Sequence, residues 1–234
     1  MNDAPVGVFD SGVGGIGTLK SCLDLLDGES FVYLADRSGL PYGTKSGEEI
    51  EKRVDECVRS LIVEGVKAVV VACNTATNVG IAALREKYNI PFVGVEPAVK
   101  PAAAECRRGN VLVLLTPATA SQPKFLSLLS RFDNGRIIVA PQRGLAEKIE
   151  THIDDIEALR CEIYDVLRRY REVEGVVLGC THYVFLKDII RDFYGGKIKI
   201  YDGNDGVARR LKAVLEENDL LAGQGRHFIK FKVI

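Results

Sequence analysis

The sequence predicts an α/β protein of two similar doubly wound parallel-sheet lobes facing each other across a central cleft. Three observations predict it. Short β-branched runs alternate with helical patterns almost throughout, which is how parallel strands and their covering helices read. Eight such runs occur, enough for one sheet or two of about four strands. Two of them also end alike, VVVACNT at 69–75 and VVLGCTH at 176–182, a short internal repeat 107 residues apart.

In chain order, Val6–Phe9 is a wholly apolar run, as a strand covered on both faces must be, and Gly14–Leu26 follows with helical spacing. Phe31–Ala35 leads to the helix Gly47–Glu64, Ala68–Ala72 to Thr75–Tyr88, and Phe92–Val95 to Val99–Arg108. GVEPAVKPA (94–102), with prolines four residues apart, reads as the crossover between halves. Beyond it, Val111–Leu115 precedes Pro123–Phe132, Arg136–Ala140 precedes Asp154–Glu172, and Gly175–Leu178 precedes Phe185–Tyr194. Lys197–Tyr201 is the eighth run; the turn cluster DGNDG (202–206) then carries the chain back through a helix over Asp205–Asn218. These breaks divide the chain into one lobe of residues 1–96 with 207–234 and another of residues 97–206. The tail HFIKFKVI alternates like an edge strand, but the pattern does not say where it pairs.

Lysine and arginine (31) balance aspartate and glutamate (32), so no electrostatic case for nucleic acid or a membrane surface exists. No apolar run reaches the ~18 residues of a membrane span, and MNDAPVGVFD lacks the basic start of a signal peptide. A cytoplasmic protein is expected. The six cysteines show no metal-ligand spacing and no disulfide framework, so no metal is expected. Cys22, Cys57, Cys106 and Cys161 read as small core or boundary residues.

Cys73 and Cys180 differ from these four. Each closes a strand and precedes a pair able to start a helix, Asn74-Thr75 or Thr181-His182, at the sheet end where such folds bind ligands. Helix-start amides stabilise a thiolate or bind a carboxylate. His182 stands two residues from a thiol, whereas His152 and His227 lack such context. Asp10-Ser11, at the end of the first strand, is either a helix cap or a carboxylate set beside a thiol. The turn in ADRSGLPYG (35–43) could close over a small ligand. A competing signal is Gly12-x-Gly14-x-x-Gly17 after a strand, with Asp36 about twenty residues on, the dinucleotide fingerprint. Against it, Asp10 and Ser11 interrupt the apolar approach and would set a carboxylate against a pyrophosphate.

Six motifs in order, FDSGVGG (9–15), ADRSGLPYG (35–43), ACNTAT (72–77), GVEPAVKPA (94–102), LGCTHY (178–183) and DGNDGVARR (202–210), resemble those of the glutamate racemases, within the cofactor-independent aspartate/glutamate racemase superfamily. The resemblance spans essentially the whole chain. It implies that Cys73 and Cys180 are the catalytic thiols, assisted by Asp10 and His182, with substrate held by Asp10, Ser11, Pro41, Tyr42, Gly43, Asn74, Thr75, Thr181 and His182. The family's further glutamate falls at Glu147, with Glu150 as competitor, in a segment that departs from the family pattern by Ala140 and a missing Val-Pro step. Val184 stands where the family usually has proline. The implied activity is interconversion of L- and D-glutamate for peptidoglycan synthesis, without cofactor, by two thiols acting on opposite faces of the α-carbon. Glutamate is the implied partner, and a homodimer is compatible with these features. Aspartate racemase, NAD-dependent oxidoreductase and non-catalytic amino-acid-binding protein are the alternatives.

Overall fold

A computed structural model describes residues 2–133, 135–223 and 227–234. The first half runs β1 (Val6–Asp10), α1 (Ile16–Leu25), β2 (Phe31–Ala35), α2 (Gly47–Val63), β3 (Ala68–Val71), α3 (Asn74–Lys87) and β4 (Phe92–Gly94). The second runs α4 (Val99–Glu105), β5 (Asn110–Leu115), α5 (Pro117–Ala120), α6 (Pro123–Phe132), β6 (Ile137–Pro141), α7 (Leu145–Thr151), α8 (Arg160–Leu167), β7 (Val173–Gly179), α9 (Lys187–Phe193) and β8 (Lys199–Tyr201). Helix α10 (Asn204–Glu217) and strand β9 (Ile229–Val233) complete the chain.

Among the described residues nine strands form two sheets, ordered β4-β3-β1-β2-β9 and β6-β5-β7-β8, with every described pairing parallel. Read from the other edge, the second sheet is β8-β7-β5-β6, the same winding as β4-β3-β1-β2. The chain moves outward from β1 to β2, then crosses to β3; likewise from β5 to β6, then to β7. The switch points between β1 and β3 and between β5 and β7 are therefore equivalent, and ligands of doubly wound sheets bind at such points.

Alternate residues of each strand face opposite cores. In the first sheet, Val6, Val8 and Tyr33 pack with Leu19 and Cys22 of α1 and Val207 and Leu211 of α10. Phe9, Val32 and Leu34 meet Ile50, Val54 and Leu61 of α2 and Ile81 and Leu84 of α3. In the second, Leu112, Leu114 and Val176 face α7, α8 and α9, while Val111, Val113 and Val177 face α4 and α6. Local signals support the helices: α2 opens on a complete Ser46/Glu49 capping box, and α5 on a Thr116 cap with proline at its first position.

The tail is the edge strand its alternation suggested: it pairs with β2 from Phe31↔Ile229 to Ala35↔Val233 and makes the first sheet five-stranded. Two expectations need correction. The expected helix over 154–172 is α8 flanked by tight turns at Ile156–Leu159 and Arg168–Tyr170, the usual way a helix narrows at its ends. Cys161 is exposed, not core, whereas Cys22, Cys57 and Cys106 are buried as expected. No helix among the described residues is long and apolar enough to cross a membrane.

At the base of the first sheet, Lys67 Nζ meets Glu29 Oε2 at 2.6 Å with both side chains almost completely buried. Lys67 also donates to Asn2 O, and Glu29 Oε1 accepts Ala222 N, so the pair joins both ends of the chain to β3. Lys67→Met should destabilise by roughly 3 kcal/mol in urea unfolding, because Glu29 is left buried and unpaired, and adding Glu29→Gln should recover part of the loss.

Candidate active site

Every strand that contributes to the site does so at its carboxyl end. Strand β1 ends in Asp10, fully buried, whose Oδ1 accepts Gly12 N at 2.9 Å and whose Oδ2 accepts Thr181 Oγ1, from the opposite lobe, at 3.0 Å. Ser11 Oγ donates to Cys73 Sγ at 3.5 Å. Cys73 follows β3 and sits at the cap of α3; Asn74 and Thr75 begin that helix. Cys180 follows β7, but Thr181–Leu186 is a 3-10 turn and α9 starts only at Lys187, so this thiol lacks the α-helix start expected for it. Both cysteines are buried, at 5% and 7% exposure.

The partners of the two thiols differ. Burial pushes the Cys73 thiol up to about 12, and the Asp10 carboxylate adds to the rise, so Cys73 rests as a neutral thiol. Burial also raises Asp10, opposed by His182, the Gly12 N–H and Thr181. Beside Cys180, burial disfavours the His182 cation, yet its hydrogen bonds to Cys180 and Glu150 outweigh this and lift it to about 10. His182 Nε2 lies 2.6 Å from Glu150 Oε2. Glu150 also accepts Val13 N at 3.0 Å and pairs with Arg37 Nε at 3.1 Å. Burial opposes its charge, but the His182 hydrogen bond and the Val13 N–H hold it below the ordinary range. One thiol therefore has a hydroxyl and a carboxylate beside it, and the other has an imidazolium.

The structure brings together Asp10, Ser11, Cys73, Asn74, Thr75, Cys180, Thr181 and His182. Pro41 and Gly43 line a recess with Thr116 and Gln142 of the second lobe. Tyr42 is buried with its ring tilted against Phe9, turned into the core. Glu147 is exposed and lines the recess of Pro41 and Gly43, while Glu150 takes the place beside His182. The period of α7 carried this signal, since Leu145 and Ile149 are buried and Glu150 lies four residues from half-buried Ala146. Sequence reasoning also missed Thr116 and Thr119, whose hydroxyls meet Thr75 Oγ1 at 3.0 and 3.3 Å; the Thr-Pro cap signature was the available cue. Asn74 Oδ1 is buried without a donor among the described residues.

The glycine turn serves this centre. A side chain on Gly12 would overlap Glu150 and His182, and one on Gly14 would come within 2.6 Å of Thr181 Oγ1. The second lobe fills the space a pyrophosphate would need, and the Asp36 carboxylate is engaged by Arg53 and Tyr42. The dinucleotide reading fails on both counts. A cleft of about 1600 Å³ lies elsewhere, lined by Arg85, Lys100, Lys124 and Arg209 among others, and neither thiol borders it. Size is the weaker guide here, because the convergent titratable groups sit in the closed seam. Among the described residues no cluster of histidine, cysteine and carboxylates is arranged to hold a metal.

Comparison with known proteins agrees with this geometry. Residues 19–211 match the family described as Asp/Glu/Hydantoin racemase. The chain is 42% identical over 224 residues to a glutamate racemase of Clostridium perfringens, covering 94% of this chain and 86% of that one. Among solved structures it is similar to glutamate racemase RacE1 of Bacillus anthracis, with TM-score 0.87, 29% identity, and coverage of 100% and 89%. It is likewise similar to the Escherichia coli glutamate racemase solved with L-glutamate and the activator UDP-MurNAc-Ala, with TM-score 0.85, 31% identity, and coverage of 97% and 89%.

The imidazole of His182 should titrate near 10 by NMR. Glu150→Gln should lower that midpoint by about one unit or more, since it removes an anion that stabilises the cation. Glu147→Gln should leave it unchanged.

Proposed function

Because the chain belongs to the Asp/Glu/Hydantoin racemase family, we propose that it interconverts L- and D-glutamate by proton transfer at the α-carbon between Cys73 and Cys180. The observation that carries this reading is the pair of buried thiols at equivalent switch points, one beside Asp10 and Ser11, the other beside His182 and Glu150.

In the L-to-D direction Cys180, the base on the side of the His182 cation, takes the α-proton of L-glutamate. The electron pair stays on the α-carbon and its carboxylate, and the Cys73 thiol returns a proton to the other face. The enzyme then holds a Cys73 thiolate and a Cys180 thiol, the form that accepts D-glutamate for the reverse reaction. An α-proton is very weakly acidic, so the site must stabilise the carbanion within a dry seam. Thr75 is the candidate hydroxyl donor to the α-carboxylate, along with the Asn74 amide, while the single Thr181 hydroxyl proton stays on Asp10. Asn74 Oδ1, which has no donor among the described residues, suits the substrate ammonium. Pro41–Gly43 form the wall that meets the rest of the substrate. These residues supply proton transfer and charge stabilisation themselves, and the mechanism uses no cofactor.

The reading extends to D-glutamate supply for peptidoglycan, a cytoplasmic setting and a homodimer as assembly. The lobe division at 97 and 207 accompanies it, supported by the packing of Val207 and Leu211 of α10 with α1 on the first sheet.

Circular dichroism of L- and D-glutamate and L- and D-aspartate, with nothing added, tests the substrate. Turnover of glutamate but not aspartate is expected; the reverse would make the chain an aspartate racemase. Cys73→Ser and Cys180→Ser should each cut glutamate racemisation by roughly 10³-fold or more. A binding protein would hold glutamate equally well in both variants and never turn it over.

A further inference from the structure

Asp36 follows β2 with no exposed surface, and protein donors take both its oxygens. Oδ1 accepts Gly39 N at 3.0 Å, Ser38 Oγ at 3.2 Å and a short contact from Arg53 Nη2. Oδ2 accepts Arg53 Nε at 3.0 Å and Tyr42 Oη at 2.7 Å. A buried carboxylate is tolerated only when it is paired and hydrogen-bonded. Burial opposes the Asp36 charge, but Arg53 and Tyr42 hold it below the usual carboxylate range. The node thus ties the end of β2 to α2, which carries Arg53, and to the turn at Tyr42–Thr44.

Its position gives the node a consequence at the site. Tyr42 points into the core cluster that also contains Phe9 and Cys73, so its hydroxyl serves Asp36 and its backbone faces the seam. Its neighbour Gly43 approaches Thr116 so closely that an added Cβ would lie 3.1 Å from the threonine Cβ. Thr116 in turn bonds Thr75. The start of the loop is fastened separately, with Ser38 N on Ile234 O and Ile234 N on Ala35 O, both at 2.9 Å. Asp36 stands between these two attachments.

We infer that Asp36 is a positioning residue that acts through Tyr42 and Arg53 to fix the Pro41–Gly43 wall against Thr116 at the depth where substrate meets it. The inference rests on the proposed glutamate racemase reading and deepens it. A wall released from this node contacts the substrate less well in the ground state and the transition state alike, which raises KM and leaves kcat nearly unchanged.

Steady-state racemisation by the full chain, followed by circular dichroism, tests this with Asp36→Asn, Tyr42→Phe and the double variant. KM for D-glutamate should rise roughly tenfold in each single variant, as expected for loss of a hydrogen bond to a charged group, with kcat within about twofold of wild type. Both changes act on the same Asp36–Tyr42 contact, so the double variant should be little worse than the worse single. Tyr42→Phe removes one hydroxyl at a buried ring and reports on the bond even if Asp36→Asn does not fold. An unchanged KM in Tyr42→Phe, a lower melting temperature with KM unchanged, or a strictly additive double variant would overturn the inference. Failure of the wild type to turn over glutamate would instead sink the racemase reading, and this inference with it.

Discussion

A carboxylate sealed between two lobes sets the terms for the whole centre. Asp10 has no exposed surface, so its charge is tolerable only while both oxygens are hydrogen-bonded. One is held by its own glycine turn and the other by Thr181 across the seam. The lobes must therefore meet in one register. The same closure buries Cys73 and brings Val13 N onto Glu150, which in turn holds His182. Water exclusion, the raised thiol and the supported imidazolium all follow from that single contact surface.

The two sheets share one winding, and the two thiols occupy one equivalent position in each. Their surroundings are nonetheless unlike. Cys73 has a hydroxyl and a carboxylate beside it, while Cys180 has a histidine backed by a glutamate and, more distantly, Arg37. A reaction whose two directions are near mirror images does not need mirror-image machinery. It needs one group able to give a proton while the other takes one, and each thiol has its own set of neighbours for that exchange.

Much of the fold could be read in advance because buried parallel strands are written as β-branched runs and both thiols close such runs. What escaped has physical reasons. Strand β9 alternates because one face, with Ile229 and Val233, stays exposed while Lys230 and Lys232 reach Glu64; its partner could only be fixed by three-dimensional pairing. Helix α7 is two turns long, so its period was a short signal, and Glu147 and Glu150 stayed alternatives until their faces were known. The hydroxyl cluster of Thr75, Thr116 and Thr119 joins residues more than forty positions apart. The glycine spacing misled for a related reason: glycines permit close approach of any group, and here the approaching groups are Glu150 and His182.

The central claim is that two thiols act from opposite faces of one α-carbon. Its most direct test is the fate of hydrogen when D-glutamate is racemised in D₂O and stopped at low conversion. The L-glutamate formed should carry one deuterium at Cα, delivered by a thiol that has exchanged with solvent, while the recovered D-glutamate remains protiated. Product that retains protium, or recovered substrate that exchanges as fast as product forms, would mean that one group serves both faces and would contradict the account.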